Sequence, residues 1–374
     1  MSVSSRGLPA TLLLIGTIVG VGMFGIPFVM REAGFLTGAF LLALLTAVIL
    51  AVHLAYARIV LATPTVHRLP GYVRLYLGPI PALVAALSNV LGLGGALLAY
   101  VVLGGAFLGS IAHYFLPGVP ASAGPMLFFV FGFLVLLRGL RFEGLANAVL
   151  TIGLVGGVIG LALALPHREA FGSLLTFGSF SVAAAYGVIL FALDGAAVIP
   201  NMRMILGRAT ERLRPTVIIG VLVPAALYLV FAIAVITATG AGTTPDAVSG
   251  IAVRFGEPFL LIGALIGFLA TITSFIGLGG ALEEMLVSDL RIRRRRALAG
   301  MAGAVLVLYL LGVNDFLVII GVVGAFAIGI DSAFVLAVER RLPAPFRRLP
   351  SWLRFVLMLL FAVGAVLEII HIVR

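Results

Sequence analysis

Two short stretches concentrate the residue types that can hold a small charged solute inside a membrane. The first is GTIVGVGMFG, residues 16–25, which sets Gly16, Gly20, Gly22 and Gly25 in an otherwise apolar run, with Pro27 just beyond. The second is FALDGAAVIP, residues 191–200, where Asp194 and Gly195 interrupt another apolar run and Pro200 follows. Glycine in a helix interior costs roughly 1 kcal/mol against alanine, and it lacks the Cβ that blocks extended or left-handed backbone. Lipid tolerates unwound backbone only where the freed N–H and C=O groups line a cavity or meet a ligand. The resumed half-helix then turns oriented N–H groups and a positive dipole end toward an anion such as a carboxylate. The carbonyls that end the preceding half face a cation. An α-amino acid carries both charges on one carbon. Helix packing is the competing reading, since Gly16 and Gly20 have the GxxxG spacing. The matching break at 191–200 favours binding, because paired interruptions in two halves of a chain point to a transporter site.

Asp194 is the one acid that falls at mid-membrane depth, where a charge costs on the order of 3 kcal/mol on insertion scales. Three roles fit it. It can carry a coupling proton, pair with a substrate ammonium or another cation, or cap the broken helix, as Asp before Gly commonly does. His53 and Asn89 are expected to make helix–helix contacts. Glu283 and Glu284, near the RIRRRR run at 291–296, are candidates for an inner gate salt bridge. Glu368 is expected at the membrane interface, and Asp315 and Asp331 near span ends.

The elements that must position these residues are membrane spans. The 374-residue chain is 62% hydrophobic and 10% charged, with mean hydropathy +1.27, so the bilayer is its solvent. The polar leader MSVSSRG runs straight into a span, with no signal-peptide pattern. Apolar runs bounded by Arg, Pro or Gly predict spans near 10–30, 36–58, 80–112, 125–140, 143–165, 178–206, 216–239, 257–287, 297–312, 315–338 and 352–372. The third and eighth runs are long enough to require tilt or projection beyond the bilayer. Alternate loops sort the arginines, 20 of the 24 falling on one side. The positive-inside rule then puts the N-terminus in the cytoplasm and the C-terminus outside, in a cell (plasma or inner) membrane. The 291–296 run is a cytoplasmic anchor beside lipid, and no nucleic-acid partner is expected. Spans 1–5 and 6–10 have opposite orientations, as an inverted repeat requires. Cysteine is absent and the five histidines lack ligand spacing, which argues against thiolate chemistry and a metal centre. No Walker motif is present. No cluster of acids, histidines or nucleophile suggests an enzyme, and no cofactor is expected.

GTIVGVGMFGIPFVMREAGF resembles the first helix of the amino acid/auxin permease group, especially its bacterial hydroxy and aromatic amino acid permeases. These belong to the amino acid–polyamine–organocation superfamily with the leucine-transporter-like fold. The resemblance extends over the whole chain, through the broken sixth span to TSFIGLGGALEEML in the eighth. It implies one all-α membrane domain of about eleven helices. Inverted repeats would cover roughly 10–165 and 178–338, with helices 1 and 6 broken and an extra helix at 352–372. It implies a symporter of aromatic or neutral amino acids, driven by a proton or sodium gradient through alternating access. A same-fold carrier of a polyamine, nucleobase or ion, or a channel, is the alternative. By analogy the amides of Val21 and Gly22 hold the substrate carboxylate, and carbonyls near Thr17, Ile18 and Phe191 receive its ammonium. Gly20 and Gly195 complete the two breaks, and Phe191 and Tyr100 wall the side-chain pocket. In sodium-coupled relatives an ion lies between the first and eighth helices. The matching positions are Gly16, Val19, Ala270, Thr273 and Ser274, whose hydroxyls have back-bonding to the preceding turn as their alternative role. Asp194 departs from the aromatic permeases, where a histidine or neutral residue often stands beside the glycine.

Overall fold

The computed structural model describes residues 7–139, 145–166, 174–178 and 182–373. Arg6, Arg141, Arg168 and Arg374, used above in the loop asymmetry, lie outside these. Within the described residues, every expected span is built of helix, because within lipid a helix pairs each backbone N–H and C=O inside its own segment. Among the described residues there are no strands.

The first span is two half-helices, α1 (Gly7–Ile18) and α2 (Gly22–Glu32), bent by 54° at the glycines. Next come α3 (Phe35–Ala62), the short α4 (Leu69–Leu77) and α5 (Pro79–Ala99), which passes through a π turn at Tyr100–Gly104 into α6 (Gly105–Phe115). α7 (Gly124–Leu137) and α8 (Leu145–Ala164) follow. The sixth span breaks between α9 (Val182–Leu193) and α10 (Ile199–Leu206). Then come α11 (Leu213–Thr239), the short α12 (Val248–Phe255), and α13 (Glu257–Glu284) with a π turn at Met285–Asp289. α14 (Arg294–Leu310) is the ninth span. α15 (Phe316–Val322), a π turn at Val323–Ile328 and α16 (Gly329–Arg341) form the tenth, and α17 (Ser351–Val373) the last. Seven helices among the described residues are long and apolar enough to cross a bilayer, and the bent α1–α2 pair makes an eighth. The shorter α7, α8 and α14 occupy the fourth, fifth and ninth expected stretches.

Hydropathy alone missed α4 and α12, which are too short to register as spans and only half-buried. Each stops at a glycine in a conformation that L side chains rarely adopt, Gly78 at φ 101°, ψ −178° and Gly256 at φ 91°, ψ −178°. Each glycine is followed by a long helix with proline in its first turn, where the missing N–H costs nothing.

Around the breaks, α1 packs on α8, α11 and α13, and α2 on α9 and α11. Phe24 of α2 is fixed by edge and tilted ring contacts to Phe107 (4.9 Å) and Phe231 (5.9 Å). α9 packs on α3, on the π turn of the tenth span and on α17. The structure changes the expectation about one acid and adds burial to another. Asp331 is not near a span end, because α16 continues to Arg341, and it lines the cavities beside the sixth break. Glu368 is covered by protein: α17 lies against α9 and α16, and the carboxylate is buried over Gly321.

Candidate binding site at two broken helices

At the first break, α1 ends at Ile18, and the chain turns with Gly20 N–H donating to the Ile18 carbonyl at 2.8 Å. Met23 N–H and Phe24 N–H reach back to the Gly20 and Val21 carbonyls at 3.3 and 3.2 Å. These pairings use the later amides of the turn and leave those of Val21 and Gly22 to open the half-helix. A Cβ on Gly22 would lie 2.8 Å from both Cα and Cβ of Ala192 and 3.1 Å from the Phe191 ring. The two breaks therefore touch, backbone to backbone, and only glycine permits it.

Between them is a cavity of about 40 Å3. Seven of the nine residues expected around a substrate line it: Thr17, Ile18, Gly20, Gly22, Tyr100, Phe191 and Asp194. Val21 and Gly195 are the chain neighbours of lining residues. Tyr100 enters from the π turn of the third span, and the tenth span contributes Val323 and Ala327 from its own π turn. Such bulges often mark functional sites because they rotate one side chain out of helical register.

The second break is finished by the protein's own side chains. Asp194 Oδ1 accepts from Ala196 N–H at 3.2 Å, so the carboxylate does cap the interruption. Gly195 N–H donates to His53 Nε2 at 3.0 Å, while His53 Nδ1 lies 3.0 Å from the Ile49 carbonyl. An accepting Nε2 and a carbonyl beside Nδ1 place the ring proton on Nδ1. His53 Nε2 is also 3.7 Å from Asp194 Oδ1. The helix–helix contact expected of His53 is thus a hydrogen bond into the break. Asn89 makes one as well, Nδ2 donating to Asp331 Oδ2 at 2.6 Å.

Tyr228 of α11, absent from the expected site, ties the breaks together. Its buried hydroxyl lies 2.5 Å from the Ile18 carbonyl and 2.8 Å from that of Ala192. Two of the expected ammonium-receiving carbonyls are accordingly engaged, Ile18 by Tyr228 and Gly20, and Phe191 by Asp194 N–H at 3.2 Å. The only signal in the sequence was a lone tyrosine in the apolar run VPAALYLVFAIAV.

The candidate cation residues are partly assembled. Ser274 Oγ donates to the Gly16 carbonyl at 3.2 Å. Thr273 Oγ1 back-bonds to Leu269 (2.8 Å) and Ala270 (3.1 Å). A Cβ on Gly16 would lie 2.3 Å from Thr151 Oγ1 of α8, so Gly16 also serves packing. Among the described residues no group of three His, Asp or Glu is placed to hold a metal. The oxygens present are carbonyls and hydroxyls, which suit a hard cation.

Toward the α1 side lies a vestibule of about 300 Å3, reaching from Gly16, Thr17 and Thr273 to Arg68 and Glu284. Arg68, buried at the start of α4, pairs with Glu284 and donates to the Ala197 carbonyl at 2.5 Å. Its backbone N–H and that of Gly71 bind Asp289 Oδ2 at 3.3 and 3.1 Å. Arg68 also lines a cavity of about 50 Å3 with Asp194, Asn89 and Asp331, so it stands between the vestibule and the second break. Of the two gate acids, Glu283 meets the arginine run through Arg294 Nε (2.6 Å). Glu284 meets Arg68 instead, because the π turn after α13 brings that side of the helix onto α4.

The model of the tryptophan/tyrosine permease family matches residues 4–370. The chain belongs to that family. Among solved structures, it is similar to MhsT in complex with L-phenylalanine at 14% identity and TM-score 0.73, covering 96% of this chain and 98% of that one. It is also similar to a mutant of the Eremococcus coleocola manganese transporter at 13% identity and TM-score 0.67, covering 99% and 86%. At these identities the likeness is one of fold, the leucine-transporter-like fold. Comparison with curated protein sequences gives no match. The permease is a multi-pass membrane protein built as a secondary transporter.

Proposed function

We propose that this permease carries an aromatic or neutral amino acid across the membrane in symport with a proton or sodium ion. The observation that carries the reading is the difference in what the two breaks leave open across one cavity. The first leaves the amides of Val21 and Gly22 at a half-helix N-terminus, suited to a carboxylate. The second offers the other oxygen of Asp194, whose Oδ1 is taken by Ala196, suited to the ammonium. Tyr100 and Phe191 then flank the side chain. The solved complex with L-phenylalanine, of the same fold, is consistent with such a cargo.

The cavity is about 40 Å3, well below the roughly 300–1,000 Å3 of small-molecule sites. Substrate entry therefore requires the breaks to separate. Rocking of α1–α2, α3, α9–α10 and α11 against the remaining helices does this, with rupture of the Arg68–Glu284 pair opening the vestibule side. The inverted-repeat reading draws support from α4 and α12: each precedes the third helix of its half and ends on a glycine of the same backbone conformation. By the arginine asymmetry the vestibule faces the cytoplasm.

The test is uptake of labelled amino acids by the purified protein in liposomes, under imposed sodium and proton gradients separately. Concentrative uptake under either gradient is expected. Sodium dependence lost in Ser274→Ala assigns the ion to the first and eighth spans, and proton dependence lost in Asp194→Asn assigns coupling to that carboxylate. Folded protein that moves no amino acid overturns the cargo.

A further inference from the structure

On the other side of the breaks from Arg68 lies a larger cavity, about 730 Å3, bordered by α2, α9, the start of α15 and α17. Phe28, Val188, Phe316 and Leu317 give it apolar and aromatic walls. Its acids are unlike one another. Glu32 is paired with Arg31, and Asp315 is committed to capping α15 through Val318 N–H at 3.0 Å. Glu368 of α17 is only 2% exposed, and its Oε2 is buried with no hydrogen-bond partner. Its Oε1 rests on α15 at Gly321, where a Cβ would come within 2.7 Å. The absence of a side chain at 321 is what lets the carboxyl group lie there.

An ionised carboxylate buried without a partner costs several kcal/mol, and a cation in the cavity would offset that cost. The walls decide which kind. One free carboxyl group on a wall whose other uncommitted polar side chains are Asn314 and His371 does not supply the six to eight oxygens of a calcium site. An anion would meet three acids. A cavity of this size is in the range of small-molecule sites; Phe316 suits both an apolar body and a positive charge, while Arg31 already lies over the Phe28 ring at 5.4 Å. We propose that this cavity is a second ligand site, taking an organic ammonium with an aromatic body, its charge on Glu368. It stands apart from the transport site and does not rest on that reading. An amine without a carboxylate forgoes the open amides of the first break, and Asp194→Asn reports whether it uses the second.

The experiment measures equilibrium binding of tritiated tryptamine to the full chain in nanodiscs, with thermal melting of every variant. Saturable binding is expected, weakened at least tenfold in Glu368→Gln and also weakened in Gly321→Ala, which pushes the carboxyl group aside. It should stay within twofold in Asp194→Asn. A second measurement needs no variant: bound tryptamine should protect Glu368 of the wild-type chain from a hydrophobic carbodiimide, read by peptide mass spectrometry. Absence of saturable binding, binding unchanged in Glu368→Gln, loss in Asp194→Asn alone, or no protection would each overturn the proposal. Failure of amino acid uptake in liposomes would leave all four readouts standing.

Discussion

The two broken helices face one another across a single small cavity, yet they are finished in opposite ways. The first is built from glycine and contains no charged side chain; its opening amides are left without a capping residue. The second is stopped by Asp194 and completed by side chains, with Ala196 N–H on Asp194 and Gly195 N–H on His53. Helix N-termini attract anions through unpaired N–H groups as well as through the dipole. Where a carboxylate of the protein already caps the terminus, a substrate carboxylate finds neither donors nor favourable charge. On the proposed reading, anion binding belongs to the first break and cation binding to the second. Tyr228 holds both in register from a third helix.

The strongest way to break this contrast is at the contact between the two. Gly22→Val puts a branched side chain where a Cβ already lies 2.8 Å from the Ala192 backbone. Uptake should fall by about 100-fold or more, since overpacking costs ~1–3 kcal/mol and the carboxylate site is displaced with it. Near-normal uptake by this variant would remove the first break from the binding site. Asp194→Asn keeps an oxygen for Ala196 N–H and discards the charge. A lost charged hydrogen bond of ~1.5–3 kcal/mol predicts a KM raised roughly 10–100-fold, with melting little changed. A large fall in melting temperature with KM intact would make Asp194 a cap and nothing more.

His53→Leu sharpens the contrast from the other side. It leaves the buried Gly195 N–H without its acceptor, which should cost about 1–3 kcal/mol of stability and lower the melting temperature. The same substitution would have little consequence if the second break were as open as the first. The smallest expected effect is that of Tyr228→Phe, near 1 kcal/mol for one neutral hydroxyl. It should appear chiefly as faster amide hydrogen exchange at both breaks together, residues 19–24 and 194–198. Exchange that rises at one break alone would mean the two are not coupled through Tyr228.

The sequence made both breaks legible because glycine, proline and Asp–Gly are punctuation that few other uses of a membrane helix require. Gly20, Gly22 and Asp194 followed from that punctuation, and Thr17, Ile18, Phe191 and Tyr100 from the resemblance. Tyr228, Arg68 and Asp331 did not follow. They act from helices with no interruption of their own, and one tyrosine or arginine in a chain carries no mark of the face it presents. The burial of Glu368 was illegible for a related reason: distance from a span's end does not say whether a neighbouring helix covers it.

The sequence by itself determined that the chain lives in a bilayer, that its spans are helices, and where two of them must come apart. Those outcomes follow from hydropathy and from the backbone limits of single residues, both local properties. Which break keeps its amides free was decided only in the tertiary structure, as were which acid finds an arginine and which acid stays unpartnered. Each depends on a partner donated by a helix distant in sequence: His53 for Gly195, Arg68 for Glu284, and bare Gly321 beneath Glu368. Hydrogen bonds and ion pairs between spans are fixed by packing, and packing is a property of the assembled bundle.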